Sequence, residues 1–345
     1  MTINVDRPTI TYENVSLLKG GATSYSNASN DASSIKLIPL VQDLSFNFNT
    51  KTEDILTLGN AFYSKRVNRY DVDVNLDISI FETFGDMFSG FFSGTALLGD
   101  LNNDVSFYTL IGKKKNFDNF SDADETINFG NAFIKNFSMS QSKNGFLSSK
   151  YSYDCSNINA EQLVSNNISN PAIDLTGTQL QNLTATLPDV QSILSAQSNL
   201  QNEIYPAHKT NVSISGVQSE DIFLVKPDMV QGFNLSIPFG RKKIFKIGKK
   251  YPVQRKFVDT REGSISVSCI TSEFIVNGND SNLKTFLSEN DTYVIKLDFL
   301  SEGSQAQNFE ISGARLNSTS HSASLSENLN CSFSFDFNPI DFKRP

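Results

Sequence analysis

Apolar residues in this chain recur mostly with a period of two, the pattern of strands with one buried face. Leu44, Phe46 and Phe48 alternate with Ser45, Asn47 and Asn49, and Val72, Val74, Leu76 and Ile78 alternate with Asp71, Asp73, Asn75 and Asp77. Farther on, Ile265 and Val267 alternate with Ser264, Ser266 and Ser268. The last such segment sets Cys331, Phe333, Phe335 and Phe337 against Asn330, Ser332, Ser334 and Asp336. Helical spacing is confined to three places. Phe81, Phe84, Met87, Phe88 and Phe91 share one face of a helix predicted over 80–92. A second is predicted over 281–287 behind Asp280 as cap, with Leu283, Phe286 and Leu287 on one side. A third lies within 187–202, with Thr186 as N-cap and Pro188 in its first turn.

The same order of pieces occurs twice. Without a gap, the stretch from Val41 to Ile78 matches that from Val230 to Val267: Val41-Gln42 pairs with Val230-Gln231, Gly59 with Gly248 and Arg66 with Arg255. At the end of each half, Tyr151-Ser-Tyr-Asp154 matches Phe333-Ser-Phe-Asp336. Upstream, Ala132, Ile134 and Leu147 match Ala314, Leu316 and Leu329. The expected organisation is a first β domain over 1–155, a polar linker with a short helix over 156–209, and a second β domain over 210–345. Each half reads as β-β-α-β-β-β. The fold class is mainly β: two tandem sandwich or barrel domains, each with one short helix.

Composition narrows the chemistry. The chain has 345 residues, a formal net charge of −8, 28 Phe and no Trp, so a substantial core is available. Two His (His208, His321) leave little for a His-based triad or metal site, and three scattered Cys (Cys155, Cys269, Cys331) make neither a zinc finger nor a disulfide scaffold. The acidic balance argues against a general nucleic-acid binder. The N-terminus shows no secretory pattern, and the 80–92 helix carries acids where a membrane-surface helix would carry Lys or Arg. The chain therefore reads as made in the cytosol.

No catalytic constellation emerges. Gly240 to Lys250 is superficially like a phosphate loop, but Lys250 stands where such a loop needs Ser or Thr. Asp122, Asp124 and Glu125 lack the twelve-residue calcium pattern. No nucleophile-elbow glycine pattern surrounds any Ser. The chain reads as a non-enzyme without cofactor or metal. Two charge features are left. Asp71, Asp73 and Asp77 share one strand face, either a merely solvated face or a purposely acidic one. The stretch 241–256 carries Arg241, Lys242, Lys243, Lys246, Lys249, Lys250, Arg255 and Lys256 with no acid. Such a basic hairpin suits nucleic acid or an acidic surface on another subunit, and the net acidity favours the subunit.

With its Val-Gln-led strand, long hairpins carrying Leu58-Gly59 or Ile247-Gly248, and closing aromatic-Ser-aromatic-Asp hairpin, the chain resembles the tail-tube fold of long-tailed phages and related contractile injection systems. The resemblance covers about 41–155 and 223–337. It implies a β-sandwich or barrel whose sheets join around a ring, and a virion protein of the phage tail through whose lumen DNA passes without specific binding. It further implies a trimer with pseudo-sixfold symmetry, an acidic lumen at Asp71, Asp73 and Asp77, and a hairpin over 241–256 bridging stacked rings. Neighbouring tail proteins (sheath, baseplate or terminator) are the implied partners, with no membrane. The family also includes baseplate-hub and neck members, which form the alternative to a tube role. A carbohydrate-binding or adhesin-like β protein is a reading of another class, against which the absence of Trp counts.

Overall fold

In the computed structural model, the described residues are 15–22, 35–38, 40–55, 65–82, 105–112, 123–163, 167–173, 184–186, 204–216, 219–225, 230–249, 251–252, 254–258, 262–270, 292–300, 307–322 and 330–343. The period-two segments form strands as expected. The first half contains β1 (Val15–Ala22), β2 (Lys36–Leu37), β3 (Val41–Ile55), β4 (Lys65–Phe81), β5 (Val105–Gly112), β6 (Ala123–Ser142) and β7 (Ser148–Cys155), followed by β8 (Asn157–Gln162), β9 (Asn167–Ser169) and β10 (Thr184–Thr186). The second contains β11 (Thr210–Gly216), β12 (Ser219–Val225), β13 (Val230–Pro238), β14 (Arg241–Ile244), β15 (Gln254–Phe257), β16 (Gly263–Ile270), β17 (Thr292–Phe299), β18 (Gln307–Ser322), β19 (Asn330–Phe337) and β20 (Phe342–Lys343).

Among the described residues the helical elements are two 3-10 turns, Ala207–Lys209 and Pro339–Asp341. The helices predicted over 187–202 and 281–287, and residues 83–92 of the first, lie outside the described residues. Ile80 and Phe81, expected to open that first helix, instead close β4 opposite Ser149 and Ser148. Ile80 extends the buried row of Val74, Leu76 and Ile78, so the strand period continues to the end of β4.

The two halves repeat one pairing scheme. The first runs β1-β5-β6-β7-β4-β3 and the second β11-β17-β18-β19-β16-β13. Registers repeat as well. Leu44↔Ile78 and Leu76↔Tyr153 in the first half match Phe233↔Val267 and Ile265↔Phe335 in the second. Even the irregularities recur: β6 and β7 shift register between Ile134 and Asn136, and β18 and β19 shift between Leu316 and Ser318. A second bulge sits between β5 and β6 and again between β17 and β18. There Asn131 and Gly313 take positive φ, 45° and 72°. Gly adopts that conformation without penalty; Asn is one of the few other residues that visits it, and here its Oδ1 accepts the Ile173 amide at 2.6 Å.

These bulges let β6 and β18 each belong to two layers. The first part of each strand pairs with β5 or β17, and the later part with β7 or β19. The layers pack through aromatic contacts, Phe107 on Tyr153 at 4.8 Å and Tyr293 on Phe335 at 5.5 Å between ring centroids. In place of two separate sandwiches, one sheet runs through both halves, because Asn136–Ser142 of β6 pairs with β13. A single core cluster accordingly includes Leu76, Phe137 and Tyr151 together with Leu235, Phe299 and Phe333. Each such buried side chain contributes about 1.5–3 kcal/mol of apolar transfer.

Part of the expected linker is built into the first half. β8 pairs with Glu125–Gly130 of β6, and Ile168, Ala172 and Ile173 are fully buried. Its polar residues have internal work: the Glu161 carboxylate accepts from Asn128 Nδ2 at 2.9 Å and from the Ser169 amide and hydroxyl at 2.6 Å each.

Glu82 is fully buried where β4 ends, and the Tyr151 hydroxyl donates to its Oε1 at 2.8 Å. Burial pushes its carboxyl up to about 7, against the pull of the Ser149 and Tyr151 hydroxyls on the charged form. The unfolded chain ionises near 4.5 while the native chain stays protonated to about 7, so stability falls as pH rises through that window. The loss above pH 7 is about 3 kcal/mol. Thermal melts of the native chain should therefore drop between pH 5 and 8, and Glu82→Gln should flatten the profile. An unchanged profile would remove Glu82 as its source.

Candidate functional surface

Eight antiparallel strands lie side by side in the order β3-β4-β7-β6-β13-β16-β19-β18. One face of this run is the core. The other is assembled by register, since directly opposed residues point to the same side. In its middle, Ser138 stands beside Ser236, Ser264 and then Asp336, and Ser140 beside Asn234, Ser266 and then Ser334. Toward one end, Ser45 meets Asp77 and then Ser152, while Asn47 meets Asn75. Toward the other, Ser332 and Ser334 meet Ser320 and Ser318. Ser and Asn are short, neutral and well hydrated, and neither is a favoured strand residue. Where they pave the sheet, the face presents little apolar area.

Two of the acids on this face, Asp73 and Asp154, are answered from within. Pro238 ends β13, and the basic hairpin of β14 and β15 leaves the sheet and returns over the first half. There the Phe239 amide donates to the Lys135 carbonyl at 2.7 Å, and Arg241 Nε to that of Ile134 at 3.1 Å. Lys243 Nζ reaches Asp73 at 2.5 Å and Asp154 at 3.0 Å. Arg255, whose side chain is inaccessible to solvent, donates Nε to Asp154 at 2.9 Å, Nη2 to the Cys155 carbonyl at 3.0 Å and Nη1 to Ser156 Oγ. The guanidinium groups of Arg241 and Arg255 each lie 5.0 Å from the Phe133 ring.

The structure thus divides the residues singled out from sequence. Asp73 and Asp77 lie half-buried on the polar face, Asp73 bound to Lys243; the side chain of Asp71, also on β4, lies outside the described ones. Of the basic residues, Arg241, Lys243 and Arg255 turn inward onto the first half, whereas Lys242, Lys246, Lys249 and Lys256 are exposed beside the exposed Phe245 and Ile247. Lys250 lies outside the described residues. Sequence reasoning passed over Asp154 as an acceptor and Phe133 as the ring beneath the arginines. The signal was present in the paired repeat marks Arg66/Arg255 and Asp154/Asp336.

Among the described residues, no group of three or more His, Cys, Asp or Glu could hold a metal. The thiols of Cys155 and Cys269 are pushed up, Cys269 to about 12, by burial first and then by Asp154 and Cys331 respectively, which keeps both protonated and unreactive.

No protein-family model and no curated protein matches the chain. Solved structures similar to it include a chain of the anti-feeding prophage (AFP) baseplate, at 12% identity over 39% of this chain and 90% of that one, with a TM-score of 0.28. Another is a chain of the AFP tube-terminating cap, at 11% identity over 41% of this chain and 91% of that one, with a TM-score of 0.27.

Proposed function

We propose that this protein is a structural, non-enzymatic part of a phage-tail-like apparatus, forming a ring whose bore is lined by the Ser- and Asn-rich face. The observation that carries the reading is that eight-stranded face, polar from edge to edge over one continuous core. Two tandem β units per chain make three copies the economical ring, with pseudo-sixfold symmetry. The bore is near-neutral rather than strongly acidic, with Asp77 its remaining half-buried acid in β4 and Asp73 held by Lys243. Polymer cargo, DNA in a phage, would pass without specific contacts.

Baseplate, neck or cap service is favoured over the tube wall by one feature. The two equivalent hairpins are chemically unlike: Arg241-Lys-Lys-Ile244 in the second half stands where the first has Thr52-Glu-Asp-Ile55. A strongly basic hairpin alternating around a ring with a charge-balanced one suits an adapter between different neighbours better than a ring stacking on copies of itself. The exposed Lys242, Lys246, Lys249 and Lys256 would then meet an acidic neighbouring ring. Copy number per particle separates the two, since a wall protein is among the most abundant.

The bore is tested with Ser266→Cys. A small maleimide should label this variant both free and assembled, whereas a long polyethylene-glycol maleimide should label only the free chain. Equal labelling by the large reagent in the assembly would put the face outside and overturn the reading.

A further inference from the structure

Three side chains with reactive chemistry stand in one row of the second half. Cys269, Cys331 and His321 lie on the adjacent strands β16, β19 and β18, Cys269 directly opposite Cys331 and Cys331 directly opposite His321. Cys269 and Cys331 are thiols, 1% and 2% exposed. His321 Nδ1 lies 2.7 Å from Cys331 Sγ, and its ring stands perpendicular to that of Phe333, 6.5 Å away between centroids. The imidazole is exposed, as are Ser320, Ser322 and Asn330 around it, so the row ends at the solvent.

The fold does not demand such a row. Its register equivalents in the first half are Ile80, Ser149 and Met139, paired in the same way. Val41↔Ile80 and Val230↔Cys269 fix that correspondence. The third cysteine, Cys155, is the contrast within the chain. It is fully buried opposite Val74, an aliphatic neighbour where Cys331 has a thiol and an imidazole. Directly opposed residues of an antiparallel pair have Cα atoms about 4.5 or 5.5 Å apart, within the about 4.4–6.8 Å that a disulfide spans. The ladder thus presents Cys269 and Cys331 to each other with no backbone movement.

We propose that Cys269 and Cys331 are a redox pair, oxidised by peroxide to a cross-strand disulfide, with His321 the base that starts the reaction. His321 Nδ1 takes the proton of Cys331, and the thiolate attacks the nearer peroxide oxygen. The O–O bond breaks, His321 gives its proton to the departing oxygen to form water, and Cys331 becomes a sulfenic acid. Cys269 is unreactive as it stands, since burial and then Cys331 hold its proton. The sulfenic acid is neutral, which removes the second of those causes. The Cys269 sulfur then displaces the hydroxyl of Cys331, which leaves as water with the Cys269 proton. Two thiols and one peroxide give one disulfide and two waters. The bond ties β16 to β19 and restricts the unfolded chain between them. Cytosolic thiols stay reduced, whereas those of a particle outside the cell need not. Only this timing rests on the particle reading; the bond itself does not.

The test treats the native full-length chain with hydrogen peroxide, then unfolds and alkylates it. The expected product has one alkylated thiol, Cys155, and a reducible link between 269 and 331 in the peptide map. Alkylation of all three cysteines, or a link joining two chains, overturns the pair. Cys269→Ser should form no link and leave a Cys331 sulfenic acid that dimedone captures; capture at Cys155 instead would overturn the assignment. His321→Ala should slow the link about tenfold or more, and free imidazole should restore part of the rate. An unchanged rate, or one that imidazole leaves slow, overturns His321 as the base. Alkylation at lysis and again on released particles should find thiols first and the link afterwards. A link already present at lysis overturns the timing and leaves the bond.

Discussion

Gly263→Val should cost about 3 kcal/mol. Gly263 pairs with Phe337, and a Cβ built there lies 2.6 Å from the ring's Cζ and 2.8 Å from a Cε. In the first half the equivalent pair is Val74 and Cys155, both fully buried. The two halves thus fill one volume in opposite ways, a bare strand position with a large ring or a branched one with a small thiol. Phe337→Cys in the Gly263→Val background should therefore restore more than half of the loss, although Phe337→Cys alone opens a cavity and is destabilising by itself. Thermal or urea denaturation of the four chains provides the cycle. Additive losses would mean that the halves are not packing equivalents at this site.

Arg255→Ala should destabilise by about 3–5 kcal/mol, the cost of leaving a mostly buried partner charge uncompensated. Its guanidinium is enclosed by Asp154, the Cys155 carbonyl, Ser156 and the Phe133 ring. The loss should be local in its first stage, because the β14–β15 pairing needs no contact with the sheet. The hairpin should detach and become open to limited proteolysis near its lysines before the global transition moves. Arg255→Lys should recover only part, since one ammonium cannot reproduce three directed N–H donors. A hairpin equally resistant in the Ala variant would show that Lys243 and Arg241 hold it alone.

The first of these predictions draws on the duplication, which is legible in the order of the residues alone. The gapless match of 41–78 with 230–267 and the aromatic-Ser-aromatic-Asp marks correspond, residue for residue, to strands that share register. One pair of strands was not legible as equivalents. β1 (VSLLKGGA) and β11 (TNVSISG) take the same place, β1 between β2 and β5 and β11 between β12 and β17, with little in common, because backbone hydrogen bonds hold them and β pairing tolerates a wide range of side chains. Residues 157–173 were hidden for a related reason. Their Asn, Ser and Glu look like a linker's, and only the fold turns them into partners for Asn128 and Asn131.

Sequence by itself determined the strand periods, the core and polar faces, the internal repeat and the poverty of reactive groups. These are local properties, since a period of two assigns each side chain to a face whatever its neighbour strand is. The tertiary structure decided which edges meet and which charges are consumed. That Asn136–Ser142 joins Gly232–Pro238, and that Lys243 and Arg255 settle on Asp73 and Asp154, depends on residues about a hundred positions or more apart. Ladder hydrogen bonds are nearly the same for any sequence, so edge choice follows from long-range packing that no local pattern records. The acidic face and the basic hairpin read separately along the chain prove in part to be each other's counter-charge.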